Sequence, residues 1–108
     1  MKLQHQLIQY YKLLRQHGLN DSHSGNASIR TKNGFIITRT GACADTIQAE
    51  ELIECSLAKP PSAHASLDAT IHQYIYQQHP NNQVILHAHN PYTIALTLKS
   101  ETFKPIDF

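Results

Sequence analysis

Val84-Ile85-Leu86-His87-Ala88-His89-Asn90-Pro91 is a short β-branched and apolar run that ends in two histidines and a proline. Val84 to His89 fits a buried strand, and Pro91 suits the first turn of a following helix, PYTIALTL over 91–98. Just upstream, Ser66 is placed to cap a helix carrying Leu67, Ile71, Tyr74 and Ile75 on one face, until His79-Pro80 ends it. A helix, a strand and a helix in succession predict a layered α/β or α+β fold.

Working outward to the N-terminus, Leu7, Ile8, Tyr11 and Leu14 recur at helical steps from Leu3 onward, and Gly18 offers the left-handed conformation that ends helices. The segment NDSHSGNASIR (20–30) has loop chemistry at its start. It leads into SIR and FIIT around TKNG (31–34), where Asn33-Gly34 favours a tight hairpin turn. RTGACA (39–44) is small and polar. Glu50-Glu51-Leu52 suggests a helical turn before the apolar segment Leu52 to Leu57, and Pro60-Pro61 forces a break.

The chain has 108 residues, enough for one modest core. Nine Lys and Arg stand against eight Asp and Glu, scattered along the chain, which argues against non-specific binding to nucleic acid or to an anionic membrane surface. No apolar run approaches the length of a membrane span, and MKLQHQLIQYYK lacks the apolar core of a secretory signal, so a soluble, cytoplasmic protein is expected. Cys43 and Cys55 fall outside any Cys-x-x-Cys spacing and are read as buried or free thiols. Eight histidines are the unusual feature of the composition.

Side chains two apart on a strand share a face, with α-carbons about 6.6 Å apart, so His87 and His89 can converge on one ion. Neutral imidazole is a good ligand for a divalent transition metal at neutral pH. The same spacing fits a structural pair, one ring bonded within the core and the other capping the turn at Asn90-Pro91, and spacing does not choose between them. Asp68, four residues before His72, starts a helix, where a carboxylate also suits the helix dipole. The loops SGNAS and TRTG could hold a phosphate through backbone and hydroxyl groups, though each is also an ordinary loop. Ser22, Ser24 and Thr40 have the same ordinary explanation, and His5, His17, His23, His64 and His79 are read as surface residues.

The order of these pieces, SGNASIR, GFIITRTG, a Ser-containing loop into IHQYIYQQHP, and VILHAHNPYTIAL, resembles the class II aldolase/adducin family over nearly the whole chain. The resemblance implies a mainly antiparallel central sheet flanked by helices. It also implies a substrate-phosphate site at Gly25, Asn26, Thr40, Gly41 and Ser66, a catalytic carboxylate at Asp68, and metal ligands at His87 and His89. In such a site Zn2+, or another divalent metal, polarises the oxygens of a small sugar or sugar phosphate while the carboxylate shuttles a proton. A symmetric homo-oligomer is implied as well.

The sequence departs from the family pattern at three points. Asp68 stands where the family has Glu, and a carboxylate withdrawn by about one ångström can cost roughly 100-fold in rate. Leu67 stands where a phosphate-binding Ser is common. Complete members are longer and supply a further metal-ligating His beyond the position of Phe108, so residues 1–108 are expected to form a single domain lacking its C-terminal part. The leading expectation is a metal-dependent lyase performing retro-aldol cleavage, or a related epimerase or dehydratase. The competing one is a non-catalytic, adducin-like scaffold used in assembly or interaction. An unrelated small α/β protein with a structural His-Ala-His is the third.

Overall fold

The computed structural model describes residues 2–89, so the helix expected over 91–98 and the end of the chain lie outside the described residues. Helix α1, Lys2–Gln16, precedes strands β1, Asn26–Arg30, and β2, Gly34–Thr38. A single 3-10 turn, Ala49–Glu51, runs into β3, Leu52–Ser56; helix α2, Ala69–Gln78, and strand β4, Val84–His87, follow. The four strands form one sheet in the order β3-β2-β1-β4. All three pairings are antiparallel, as the expected sheet requires. Among the described residues no helix is long and apolar enough to cross a membrane.

Strand alternation divides the sheet into two faces. Ala27, Ile29 and Ile36 point to one face, where Leu7 and Tyr11 of α1 and Ala42, Ala44 and Ile47 of the long loop complete a buried cluster. Phe35, Ile37 and Cys55 point to the other, against Ala65, Ala69 and Tyr76 of the α2 region. Helices therefore cover the sheet on both sides. Every residue of β2 is buried, because β2 lies inside the sheet and carries cover on both faces.

Helix α1 follows its sequence pattern, with Leu7, Tyr11 and Leu14 buried. Its end is a Schellman motif: Leu19 N–H donates to Leu14 O, Gly18 N–H donates to Arg15 O, and Gly18 has φ 72°.

Two expectations are corrected. Leu67, Ile71 and Tyr74, assigned to the packed face of α2, are 87%, 56% and 62% exposed, while Ala69, His72 and Tyr76 are buried. The reason is hydrogen bonding: the helix turns towards the sheet the residues that have polar partners there. The tight hairpin expected at Asn33-Gly34 is present: β1 and β2 pair antiparallel across it, with Thr31 N–H donating to Gly34 O, and neither Asn33 nor Gly34 needs positive φ. Gly34 also serves a close approach, because a Cβ there would overlap the Cys55 carbonyl on β3. The strand expected over Val84 to His89 ends at His87. Both cysteines are free thiols.

Candidate functional site

Strand β1 supplies Asn26 and Ser28 to the α2 face, two residues apart. Helix α2 and the residue that precedes it supply Asp68, His72 and Tyr76, each four residues from the last. Such spacing lays three side chains along one helical stripe, parallel to the strand beneath it. His87 enters from β4, where it pairs directly with Asn26.

Asn26 sits at the centre. Its Nδ2 donates to Asp68 Oδ2 at 2.8 Å, and its Oδ1 lies 2.5 Å from His72 Nε2. His87 Nδ1 lies 2.9 Å from the same Asp68 oxygen. Hydrogen bonds from Asn26 and then His87 hold the Asp68 carboxyl below the usual carboxylate range, against a desolvation effect of opposite sign. An ionised carboxylate only accepts, so His87 carries a proton on Nδ1, and among the described residues its Nε2 has no hydrogen-bond partner. The 3.2 Å approach of Asn26 Nδ2 to His87 Nδ1 then sets two donors side by side on one acceptor. His89 stacks on His87, with ring centroids 4.9 Å apart and planes inclined at 29°.

The start of α2 explains why Asp68 is available. Ser66 Oγ accepts the Asp68 N–H at 3.3 Å, so the expected Ser66 cap acts one turn early, and α2 begins at Ala69. Asp68 occupies the cap position but makes no side-chain cap bond. Its carboxylate turns to Asn26 and His87 instead.

The loops close around this point. Thr40 N–H donates to His64 O and Ser66 N–H donates to Thr38 O, which binds the loop after β2 to the loop before α2. Asp21 Oδ1 accepts from the backbone N–H groups of His23 and Ser24, shaping the loop before Gly25. A cavity of about 320 Å³ results, lined by Gly25, Asn26, Thr40, Gly41, Ser66, Asp68 and His89, with Arg39, His23 and Leu67 among its other walls. Seven of the eight residues singled out from the sequence share this cavity. His87 faces an adjoining groove with Asp68, Ile71 and Leu86.

Asn20, Ser28, His72 and Tyr76 had no role in the sequence reading. Asn20 is 6% exposed and grips the backbone around Ala88: its Oδ1 accepts His89 N–H at 2.7 Å and its Nδ2 donates to His87 O at 3.5 Å. Gly25, with φ 75°, packs against that grip, and a Cβ there would overlap the Asn20 side chain and come within 2.5 Å of His87 O. Ser28 Oγ lies 2.6 Å from His72 Nδ1 and 2.7 Å from the Tyr76 hydroxyl. Burial pushes the His72 imidazole down to about 4 and pushes the Tyr76 hydroxyl up. The sequence signal for these residues was the pairing of Asn26 and Ser28 at strand spacing with Asp68, His72 and Tyr76 at helix spacing.

The donor set suits a divalent transition metal in kind, with two stacked imidazoles and a carboxylate bonded to one of them. In number it falls short. Among the described residues no group of three or more His, Cys, Asp or Glu is placed to hold an ion.

Comparison with known proteins bears on the family and the fold. The family described as Class II Aldolase and Adducin N-terminal domain matches residues 5–108. Methylthioribulose-1-phosphate dehydratase of Pseudoalteromonas translucida is 31% identical over 102 residues, covering 92% of this chain and 47% of that protein. The 3-oxo-tetronate 4-phosphate decarboxylase of Pectobacterium atrosepticum is 31% identical over 85 residues, 76% of this chain and 39% of its own. The crystal structure of L-fuculose-1-phosphate aldolase from Thermus thermophilus superposes with a TM-score of 0.80 at 30% identity, over 94% of this chain and 54% of that one. The chain thus spans about half the length of the relatives it matches. With an antiparallel sheet between two helices and a match over nearly its whole length, the chain belongs to the class II aldolase and adducin family.

Proposed function

We propose that this chain carries the proton-transfer and two-histidine portion of a lyase site for a small sugar phosphate, with a divalent metal, zinc or a relative, as cofactor. The observation that supports it is the Asp68 carboxylate, ionised and 2.9 Å from His87 Nδ1, at the wall of a cavity shared with His89 and the small polar loops. The three relatives named above are all named for phosphorylated compounds. Two of those names denote carbon–carbon bond cleavage and one denotes loss of water, and each reaction moves a proton next to a carbonyl.

His87, through Nε2, and His89 would hold the ion. When bound it would supply Lewis-acid polarisation of a substrate oxygen. Asp68 is then the proton carrier. As a carboxylate it takes the proton of a substrate hydroxyl as that carbon becomes an aldehyde and the electrons of the broken carbon–carbon bond pass to the other fragment, and it later returns the proton. Backbone and hydroxyl groups at Gly25, Thr40, Gly41 and Ser66 line the pocket for a phosphate. Arg39, another wall residue, is the charged candidate for a phosphate partner, since Leu67 has no hydroxyl to offer. Further ligands and a symmetric homo-oligomer belong to the same proposal.

Zinc titration of the purified chain, followed by retro-aldol assays on ketose 1-phosphates, tests it. Wild-type protein is expected to bind one ion per chain and to cleave substrate. His87→Ala should abolish ion binding, and Asp68→Asn should lower kcat by about 10²–10⁴-fold. Binding or turnover that survives both changes would overturn the proposal. The shortage of a third ligand among the described residues favours a second reading, a scaffold that binds sugar phosphate or a partner without chemistry. That reading expects no ion uptake at all.

A further inference from the structure

The groups behind Asp68 form a continuous chain of hydrogen bonds through the core: Tyr76 hydroxyl, Ser28 Oγ, His72, Asn26, Asp68. Tyr76, Ser28 and His72 are 1%, 0% and 2% exposed, and Asn26 is 5% exposed. Among the described residues no buried side-chain polar atom lacks a partner. A closed chain of this kind has a direction, and its end fixes that direction.

The carboxylate of Asp68 only accepts, so the atom of Asn26 that faces it must be the amide nitrogen. The carbonyl Oδ1 of Asn26 therefore faces His72, and it too only accepts, so His72 Nε2 carries the hydrogen. A neutral imidazole has one N–H. Its Nδ1 is then an acceptor, filled by the hydroxyl hydrogen of Ser28 at 2.6 Å. Having donated its one hydrogen, Ser28 must accept from Tyr76. Every proton in the chain points towards Asp68.

We infer that His72 is a positioning residue for Asp68, locked as the neutral Nε2–H tautomer and acting through Asn26 to fix the carboxylate that the proposed lyase site uses. A flipped Asn26 amide would set its oxygen against the carboxylate and two N–H groups against each other, so the tautomer of His72 and the orientation of Asn26 enforce one another. The burial that pushes the imidazole down to about 4 keeps it neutral in the range where Asp68 is ionised. His72, 2% exposed, is no wall of the cavity that Asp68 shares with His89, and it underlies the adjoining groove beside Asp68 and His87. The inference rests on the lyase reading for its purpose and on the hydrogen bonds alone for its geometry.

Nitrogen-15 NMR of the full 108-residue chain tests the geometry without reference to activity. At neutral pH the wild-type His72 ring should show the widely split pair of nitrogen resonances of a neutral imidazole, with the proton on Nε2. An Nδ1–H tautomer, an even mixture or a charged ring overturns the inference. The side-chain amide of Asn26 tests the consequence. His72→Gln can still donate to Asn26 and accept from Ser28, and should keep the Asn26 Nδ2 hydrogens as slow to exchange with solvent as in the wild type; His72→Leu should speed their exchange by about tenfold or more. Equal exchange in the two variants overturns the positioning role. If His72→Leu does not fold, Ser28→Ala replaces it: removing the donor to Nδ1 should shift the Nδ1 resonance towards that of an unbonded nitrogen while the proton stays on Nε2, and an unchanged ring spectrum sinks the chain. Where turnover is found, His72→Leu should lower kcat by roughly tenfold or more with KM little changed, and His72→Gln should recover most of it. Absence of turnover with the expected spectra counts against the lyase reading only.

Discussion

On the α1 side of the sheet, Leu7, Tyr11, Ala27, Ile29 and Ile36 pack with one another, whereas on the α2 side the helix presses His72 and Tyr76 inward and leaves Ile71 and Tyr74 to solvent. Both helices rest on the same strand, β1, from opposite faces. The first is seated by apolar area, which any large aliphatic residue can provide. The second adds matched donors and acceptors to the apolar contacts of Ala69 and Tyr76 with Phe35 and Ile37, assisted at its far end by Arg30, whose guanidinium donates to Tyr76 O and His79 O and lies 4.8 Å over the Tyr76 ring. Oily packing holds a helix against the sheet, and directional bonds settle which of its side chains meet the strand; a site that must aim a carboxylate needs the second kind.

Three measurements would break or sharpen that contrast, the largest effect first. Leu7→Ala empties fully buried volume and should cost about 3–5 kcal/mol in denaturant unfolding; a cost under about 1 kcal/mol would show that the α1 face is not held by packing. Gly25→Ala combines a left-handed backbone with overlap at Asn20 and His87 and should cost about 3 kcal/mol, accompanied by altered histidine resonances. Ile71→Ala, at a site 56% exposed, should change stability by less than about 0.5 kcal/mol, although the periodicity of α2 would rank it with Leu7.

The two faces should also differ in their response to acid. His72 stays neutral in the folded chain down to about 4, while in the unfolded chain it protonates near 6.5. Between those values the unfolded state binds the extra proton, so stability falls as pH falls, by about 1.4 kcal/mol per pH unit. Asp68, held low, adds a contribution that is present above about 3.9 and is lost as pH drops through its folded value. Denaturant midpoints from pH 7 to 4 should therefore decline in the wild type and flatten in His72→Gln. A slope that persists in that variant would place its origin elsewhere.

The same contrast explains what the residues disclosed before any coordinates. Leu7, Tyr11 and Leu14 announced α1 and its buried side, because apolar burial leaves a 3.6-residue period in the sequence. The hairpin, the turn at Glu50-Glu51 and the strand before His87 were legible for similar reasons. Helix α2 was found, but its inward side was not, because hydrophobic periodicity points to Ile71 and Tyr74 and carries no record of who accepts a hydrogen bond from whom. His72 and Ser28 look like ordinary polar residues until β1 and α2 are laid side by side, 44 positions apart in the chain. Gly34 was legible only in part: the dipeptide Asn33-Gly34 signals the local turn, while a distant strand adds its own pressure for glycine. Family pattern singled out Asp68 and the two histidines by their order along the chain, and the structure brings the three side chains together.

One amide near the beginning of the chain ties the histidines to the rest of the molecule. Asn20 reaches across 67 and 69 positions to hold the peptide groups on either side of Ala88. Closing so long a loop costs entropy, and the ring pair acquires its spacing only once that closure is made. Anything that binds both rings together therefore also tightens the fold, so heat resistance and occupancy should rise in step, and the amide at position 20 is the stitch through which each is felt by the other.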